Sequence, residues 1–366
     1  MLAAVLAAFT FAACGGGGGG SYPNPPPPVA NDWFFVGGFA ASVSGYSNAS
    51  GSLAPIPGSS ATFSSSAFLT DFGVKPDGSV LAVIISGAQV GPNFQIANIA
   101  SGGAISPQPL TSALTGPRGI AISSQGTLAI TTDDGTVYLW MLQNNLLFAG
   151  GSAATGPLPQ DVTFSADGKT LYVGNTGDGS VSVYSVSAAG ALQLVQTARL
   201  WIPSSMNGIV LTRLRLSPSG NKFAAASADG VLYVADVSAV DPTLTNIQRI
   251  PVANLANLQE VIFDPAEKDI YTADQDNGGI YGYSITGGTV TPLPGSPFST
   301  GTPFGGVAGM ATNSAGDRLY AVMSARGAID TFSRDTNSGQ ISPTGESVST
   351  SAGLFVPGRI VRVPAH

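Results

Sequence analysis

The stretch VTFSADGKTLYV at residues 162–173 combines an apolar strand, a Ser-Ala-Asp-Gly turn and a second apolar strand. The same pattern recurs as LRLSPSGNKFAA at 214–225 and as VIFDPAEKDIYT at 261–272. Looser copies run through three more turn glycines, Gly78, Gly126 and Gly316. With Gly168 and Gly220, these glycines are separated by 48, 42, 52 and 96 residues, and the last gap equals two units. A period of roughly 48 residues suits a repeat of four short strands.

Two unmatched half-repeats at the ends of the chain indicate that the repeats close into a ring. Residues 359–363 have the character of a first strand but no second strand follows them. Residues 33–37 have the character of a second strand but no first strand precedes them. Joining the two completes a seventh unit and removes exposed sheet edges. The sequence therefore predicts an all-β, seven-bladed β-propeller with four-stranded blades, in which the C-terminal innermost strand joins the N-terminal strands.

The composition narrows the classes of function. The 366 residues include 14 basic and 21 acidic side chains, for a net charge of −7. An acidic surface repels phosphate backbones, so nucleic-acid binding is not expected. With one cysteine and one histidine, the chain cannot form an internal disulfide or a Cys/His metal cluster. We expect neither a metal nor another cofactor.

The N-terminal segment predicts export and lipid anchoring. Residues 2–11 form a short apolar run of signal-peptide length, which ends in Phe11-Ala12-Ala13-Cys14 and resembles a bacterial lipobox. Gly15–Gly20 and Pro25–Pro28 then provide a tether that cannot form a core. We expect a signal peptide over 1–14, a tether over 15–31 and one propeller domain over 32–366. The alternative is an unmodified, buried Cys14 in an ordinary strand.

Two motifs resemble the lactonase-like seven-bladed propellers, a group that includes 6-phosphogluconolactonase-like and YVTN-repeat proteins. They are NTGDGSVSVY at 175–184 and LPGSPF at 293–298. The resemblance covers about residues 33–363 and implies the fold more strongly than an activity. It also implies a channel site with His, Arg and Glu, yet the only histidine, His366, lies beyond the last innermost strand. A histidine-dependent mechanism is therefore not expected, and enzymatic activity is left open.

Charged residues gather at one aligned position, just before each innermost strand. In blade order these residues are Asp71, Gly119, Asp161, Arg213, Glu260, Gly309 and Arg359. Arg118, Gln160 and Gln259 occupy the position before three of them. In one interpretation Arg118, Arg213 and Arg359 bind an anionic or lactone-like ligand beside Gln160 and Gln259, with Glu260, Asp161 or Asp71 as general base. In the other, opposite charges of neighbouring blades pair and stabilise the ring.

Two functions follow from these patterns. The first is a binding module, monomeric and attached to the cell envelope, in the outer membrane, by the lipid on Cys14 alone. Its partner at the channel mouth would be a small molecule, a glycan or a protein. The alternative is a lactonase-like hydrolase of lactones or sugar-acid derivatives that uses the Arg/Glu/Asp ring.

Overall fold

The computed structural model describes residues 31–38, 41–64, 67–87, 93–109, 114–200, 210–252, 257–301, 306–350 and 358–366. The signal peptide and nearly all of the tether expected at the N-terminus, including Cys14, lie outside these residues, and those expectations remain predictions. Every regular element in the described ranges is a β-strand. Those ranges contain no helix that is long and apolar enough to cross a membrane.

The strands form seven antiparallel sheets, which we number as blades 1 to 7. Blade 1 contains β4 (Phe68–Val74), β5 (Val80–Ser86), β6 (Phe94–Ile99) and β7 (Ile105–Pro107). Blade 2 contains β8 (Pro117–Ile122), β9 (Thr127–Thr132), β10 (Thr136–Gln143) and β11 (Leu146–Ala154). Blade 3 contains β12 (Pro159–Phe164), β13 (Thr170–Asn175), β14 (Ser180–Val186) and β15 (Leu192–Arg199). Blade 4 contains β16 (Leu211–Leu216), β17 (Lys222–Ser227), β18 (Val231–Val237) and β19 (Leu244–Pro251).

The remaining blades complete the ring. Blade 5 contains β20 (Leu258–Phe263), β21 (Asp269–Asp274), β22 (Gly279–Thr286), β23 (Thr289–Pro292) and the short β24 (Phe298–Ser299), which also pairs with β22. Blade 6 contains β25 (Val307–Thr312), β26 (Arg318–Met323), β27 (Ala328–Arg334) and β28 (Ile341–Ser349). Blade 7 contains β29 (Ile360–Pro364), β1 (Asp32–Gly38), β2 (Ser42–Ser47) and β3 (Ala54–Thr62). The predicted seven-bladed propeller is confirmed.

In blades 3 and 5, a tyrosine of the second strand links the blade to the next one. Tyr172 of blade 3 packs its ring 5.8 Å from that of Phe223, and its hydroxyl donates a hydrogen bond of 3.1 Å to the carbonyl of Pro242 in blade 4. Tyr271 of blade 5 makes the equivalent bond to the carbonyl of Gly339 in blade 6. Burial raises the pKa of both hydroxyls, which therefore remain donors at neutral pH. Inner faces of adjacent blades bury apolar clusters around these contacts.

The split blade closes as the sequence predicts. β29 pairs with β1 in an antiparallel register that joins Val363 to Trp33 and Ile360 to Val36. Asp32, at the start of β1, accepts hydrogen bonds from the backbone N–H (2.8 Å) and hydroxyl (3.0 Å) of Ser314 in blade 6. The same carboxylate accepts a bond of 3.1 Å from Arg362. One aspartate thus connects both ends of the chain to the neighbouring blade.

Removal of residues 359–366 should open the ring. Ile360 and Val363 are buried, and losing an aliphatic side chain of this kind costs about 2–5 kcal/mol each. We expect a large fall in the melting temperature and loss of a single cooperative transition, measured by circular dichroism. Removal of only Ala365 and His366, which leaves β29 intact, is the control. Equal melting temperatures for the two truncated chains would contradict closure by β29.

Candidate active site in the central channel

A break in strand pairing recurs at the same place in the innermost strands. The register between first and second strands shifts between Leu69 and Asp71, between Pro159 and Asp161 and between Leu211 and Arg213, and it shifts equivalently in blades 2, 5 and 6. In blades 1, 3, 4, 5 and 6 the shift places one extra residue just before the aligned position, and in blade 2 it spans Arg118 and Gly119. Such a bulge re-aims the residue that follows it. The bulge therefore sets where the charged side chains of the aligned position lie.

Arg213 lies at the centre of the ring of charges. Its Nη1 is 3.4 Å from Oδ1 of Asp161 in blade 3 and 3.6 Å from Oδ1 of Asp71 in blade 1. Its Nε is 3.7 Å from Oε2 of Glu260 in blade 5. All four side chains are buried. One guanidinium therefore connects carboxylates from three other blades, including one from across the channel.

The carboxylates also satisfy backbone donors of the next innermost strand. Asp71 accepts a hydrogen bond of 3.2 Å from the N–H of Ile120 in blade 2, and Asp161 accepts one of 2.7 Å from the N–H of Leu214 in blade 4. Arg359 of blade 7 donates to both oxygens of Asp71 at 2.8 Å and to the carbonyl of Ile120 at 3.3 Å. Buried backbone groups need such partners because no sheet neighbour lies on the channel side.

The electrostatics follow from burial and pairing. Burial by itself lowers the pKa of Arg213, but the carboxylates of Asp161, Glu260 and Asp71 outweigh it and raise that pKa above the ordinary arginine value. Arg213 is therefore a permanent cation. Removal of one member of a buried ion network leaves its partners uncompensated. The interpretation that opposite charges stabilise the ring is thus supported by the geometry.

Arg215 is a member of this network that the sequence alignment missed. It lies two residues after Arg213 in β16, and its Nη2 is 2.8 Å from Oε1 of Glu260. Burial, together with the nearby guanidinium groups of Arg359 and Arg213, lowers the pKa of Arg215 to about 10, against the attraction of Glu260. The side chain remains charged at neutral pH. Arg213 and Arg215 are two residues apart in one strand, and this spacing is the sequence feature that could have identified Arg215.

A pocket lies next to the ring, towards the ends of the innermost strands. We call this side the C-terminal mouth of the channel. The pocket has a volume of about 430 Å³, within the usual range for small-molecule sites. Arg215, Arg359 and Arg362 supply its charged lining. Its apolar lining includes Ile262, Phe263, Met310 and Val361, and Thr163 and Thr312 add hydroxyl groups. The pocket thus combines three guanidinium groups with an apolar wall.

Comparison with known proteins agrees with this architecture. Residues 115–293, which extend from blade 2 into blade 5, match the family model described as "Lactonase, 7-bladed beta-propeller". Over these residues the chain is similar to the lactonase-like propellers, and its seven sheets agree with the seven blades of that family. No curated protein matches it.

Two solved structures resemble this chain over nearly its whole length. A putative 6-phosphogluconolactonase from Bacteroides fragilis is 13% identical with a TM-score of 0.74, over 93% of this chain and 100% of that one. A periplasmic gluconolactonase from Pseudomonas aeruginosa is 17% identical with a TM-score of 0.70, over 92% of this chain and 100% of that one. At these identities, the likeness establishes the fold alone.

The structure brings only part of the predicted site together. Arg213, Arg359, Glu260, Asp161 and Asp71 converge in the channel of the propeller. Their catalytic or ligand-binding roles remain predictions.

The other predicted ligand-binding residues lie apart from this network. Arg118 is exposed and its Nε forms an ion pair of 2.5 Å with Asp133. Gln259 donates to Asn257 at 2.6 Å, and Gln160 lies half-buried at a bulge. None of the three lines the pocket at the C-terminal mouth.

Two blades contribute glycine instead of charge because neighbouring backbone lies too close. A Cβ at Gly309 would lie 2.1 Å from the carbonyl oxygen of Gly358, and one at Gly119 would lie 2.7 Å from that of Gln160. Both distances are far below van der Waals contact. The ring of charges is therefore incomplete for a steric reason.

Substitution of Arg213 by Met should destabilise the propeller strongly, because three buried carboxylates lose their shared cation. We expect the free energy of unfolding to fall by about 3–5 kcal/mol. Arg118→Met is the matched control, since it breaks an exposed ion pair worth about 0–1 kcal/mol. Denaturant unfolding of both variants measures the difference. Similar losses in the two variants would contradict a central role for Arg213.

Proposed function

We propose that this propeller hydrolyses the ring ester of an uncharged sugar-acid lactone in the pocket at the C-terminal mouth. The observation that carries the proposal is that Arg215 faces this pocket while Glu260, fully buried behind it, holds its guanidinium at 2.8 Å. A guanidinium that is fixed before the substrate arrives can stabilise charge that develops on a carbonyl oxygen. The family match and the fold of the gluconolactonase structure support this chemistry over a binding module.

The charge balance of the site favours an uncharged substrate. Four arginines surround the channel and the pocket, and each is paired with a carboxylate. The pairs are Arg213 with Asp161, Arg215 with Glu260, Arg359 with Asp71 and Arg362 with Asp32. Equal numbers of positive and negative groups leave no excess charge for a phosphate dianion. The guanidinium groups still offer further N–H donors to a lactone carbonyl and its hydroxyl groups.

Of the three candidate bases, Glu260 is the one with a carboxylate oxygen that accepts no hydrogen bond from the described residues. Both oxygens of Asp71 accept hydrogen bonds from Arg359, and those of Asp161 accept bonds from Arg213 and from the N–H of Leu214. By contrast, Oε2 of Glu260 is buried and has no hydrogen-bond partner among the described residues. Glu260 therefore has an oxygen left to accept a proton.

The proposed reaction adds water to the lactone and opens its ring. Water adds to the lactone carbonyl carbon as Glu260 accepts one of its protons, and the oxyanion that forms is held by Arg215. The bond between the carbonyl carbon and the ring oxygen then breaks. The ring oxygen receives the proton back from Glu260 and becomes a hydroxyl group. The product acid ionises, and its carboxylate suits the guanidinium groups of the pocket.

Turnover of a lactone panel tests the proposal. We expect the wild-type protein to open a six-carbon aldonolactone with a higher kcat/KM than its phosphate ester. Glu260→Gln should lower kcat by about 10²–10⁴-fold, since it removes the base. Glu346→Gln, on the outer strand β28, is the matched control and should leave kcat unchanged. The release of acid, measured by pH-stat titration, gives the rates.

Two outcomes would overturn the hydrolase. The first is that neither the wild type nor Glu260→Gln turns over any lactone; saturable lactone binding by calorimetry in that case would favour the binding module. The second is an unchanged kcat in Glu260→Gln. Melting temperatures of all variants separate loss of chemistry from loss of fold.

We further propose that the propeller is exported and anchored by a lipid on Cys14. The apolar run at 2–11, the residues Phe11-Ala12-Ala13-Cys14 and the glycine run after them support this location. We expect Cys14→Ser to move the protein from the membrane fraction to the soluble fraction of the cell envelope. Equal membrane association of both forms, on immunoblots of fractionated cells, would contradict the anchor.

A further inference from the structure

One outermost strand, β11, lacks the usual protection of a sheet edge. Five outermost strands of the propeller have eight or nine residues: β3, β11, β15, β19 and β28. Prolines and charges at an edge discourage pairing with another chain. Four of the five strands carry them, in the form of Pro55 and Pro57, Arg199, Arg249 and Pro251, and Pro343 and Glu346. β11, with the sequence LLFAGGSAA, has neither.

Exposed apolar side chains are concentrated at the same place. On β11, Leu146 is 62% exposed and Phe148 is 49% exposed. On β15 of the adjacent blade, Leu194 is 54% exposed and Val195 is 38% exposed. These four make up half of the eight large apolar side chains that are exposed in the described part of the chain. We call them the rim patch.

The rim patch belongs to a continuous surface. Strands β11 and β15 contact each other, and the N–H of Gly151 donates a hydrogen bond of 2.9 Å to the carbonyl of Gly190 in blade 3. Gly150 and Gly151 both lie opposite Leu139, so β11 bulges there. The part of the edge suited to further pairing is therefore 146–149. Its outer side has no strand neighbour among the described residues.

Charge determines which partner suits this surface. Residues 135–160, which include all of β11, contain no charged side chain, whereas the whole chain has a net charge of −7. Two copies of an acidic protein can approach most closely where neither carries charge. An acidic or basic partner would gain no ion pair there. A second copy of the chain is therefore the occupant that the surface fits.

We propose that the propeller forms a two-fold symmetric dimer through antiparallel pairing of β11 with β11 of a second copy. An antiparallel pair of identical strands satisfies two-fold symmetry, because each strand makes the same contacts on the other. The backbone pairing provides hydrogen bonds, and the two rim patches bury apolar area on both sides of it. An apolar patch of this kind covers a few hundred Å². The interface is then below the standard size, so we expect a reversible equilibrium between monomer and dimer that depends on concentration.

Sedimentation equilibrium of the full chain over a range of concentrations tests the dimer. We expect the wild type to shift from monomer to dimer as concentration rises, and Phe148→Lys and Leu194→Lys to remain monomeric. Val240→Lys is the matched control, because Val240 is 98% exposed between β18 and β19 of blade 4 and belongs to neither β11 nor β15, and its variant should dimerise like the wild type. Since each lysine lowers the net negative charge, general repulsion cannot account for a loss of dimer.

Three results would overturn the proposal. They are a wild type that stays monomeric at every concentration, a dimer that persists in Phe148→Lys, and an equal loss of dimer in Val240→Lys. Lactone turnover of Phe148→Lys, which lies on the rim and outside the channel, distinguishes this result from any failure of the proposed hydrolase. Circular dichroism confirms that each variant is folded. A dimer would replace the monomer that the sequence predicts.

Discussion

The contact of Arg213 with three buried carboxylates is the interaction on which the centre of this molecule depends. Innermost strands of a propeller have an edge without a sheet neighbour, so their backbone groups must find other partners in the channel. Asp71 and Asp161 accept N–H groups of the following blades and thereby bring negative charge into a region with little water. Arg213 compensates that charge. The contact of Arg213 with these carboxylates therefore stabilises the ring and also positions the carboxylates.

The same network shapes the pocket. Glu260 contacts Arg213 on one side and Arg215 on the other, so it connects the structural ring to a side chain that lines the pocket. Guanidinium groups fixed in this way need little reorganisation when charge develops on a bound ester. A mutation in the ring should thus alter both folding and ligand chemistry. The exposed pair of Arg118 and Asp133 contributes to neither, because solvent screens it.

Blade 7 shows how closure and chemistry share residues. Arg359 lies immediately before β29 and Arg362 lies within it, and both line the pocket. Asp32 holds Arg362 and also binds Ser314 of blade 6. The segment that closes the ring therefore contributes Arg359 and Arg362, two of the three arginines that line the pocket. A propeller that failed to close would lack its site as well as its stability.

The number of blades, the strand order and the closure follow from the sequence alone, because turns such as Ala166-Asp167-Gly168 and the apolar strands around them are local and repeated. It also determined which residues occupy the aligned position in each blade. Which of these residues contact one another depends on how the blades pack: Arg213 reaches across the channel to Asp71, whereas Arg118 turns outward to Asp133. Alignment of the repeats missed Arg215 because it gives the position of a residue along its strand but not the direction of its side chain. That direction depends on the bulge before it and on the space left by neighbouring blades.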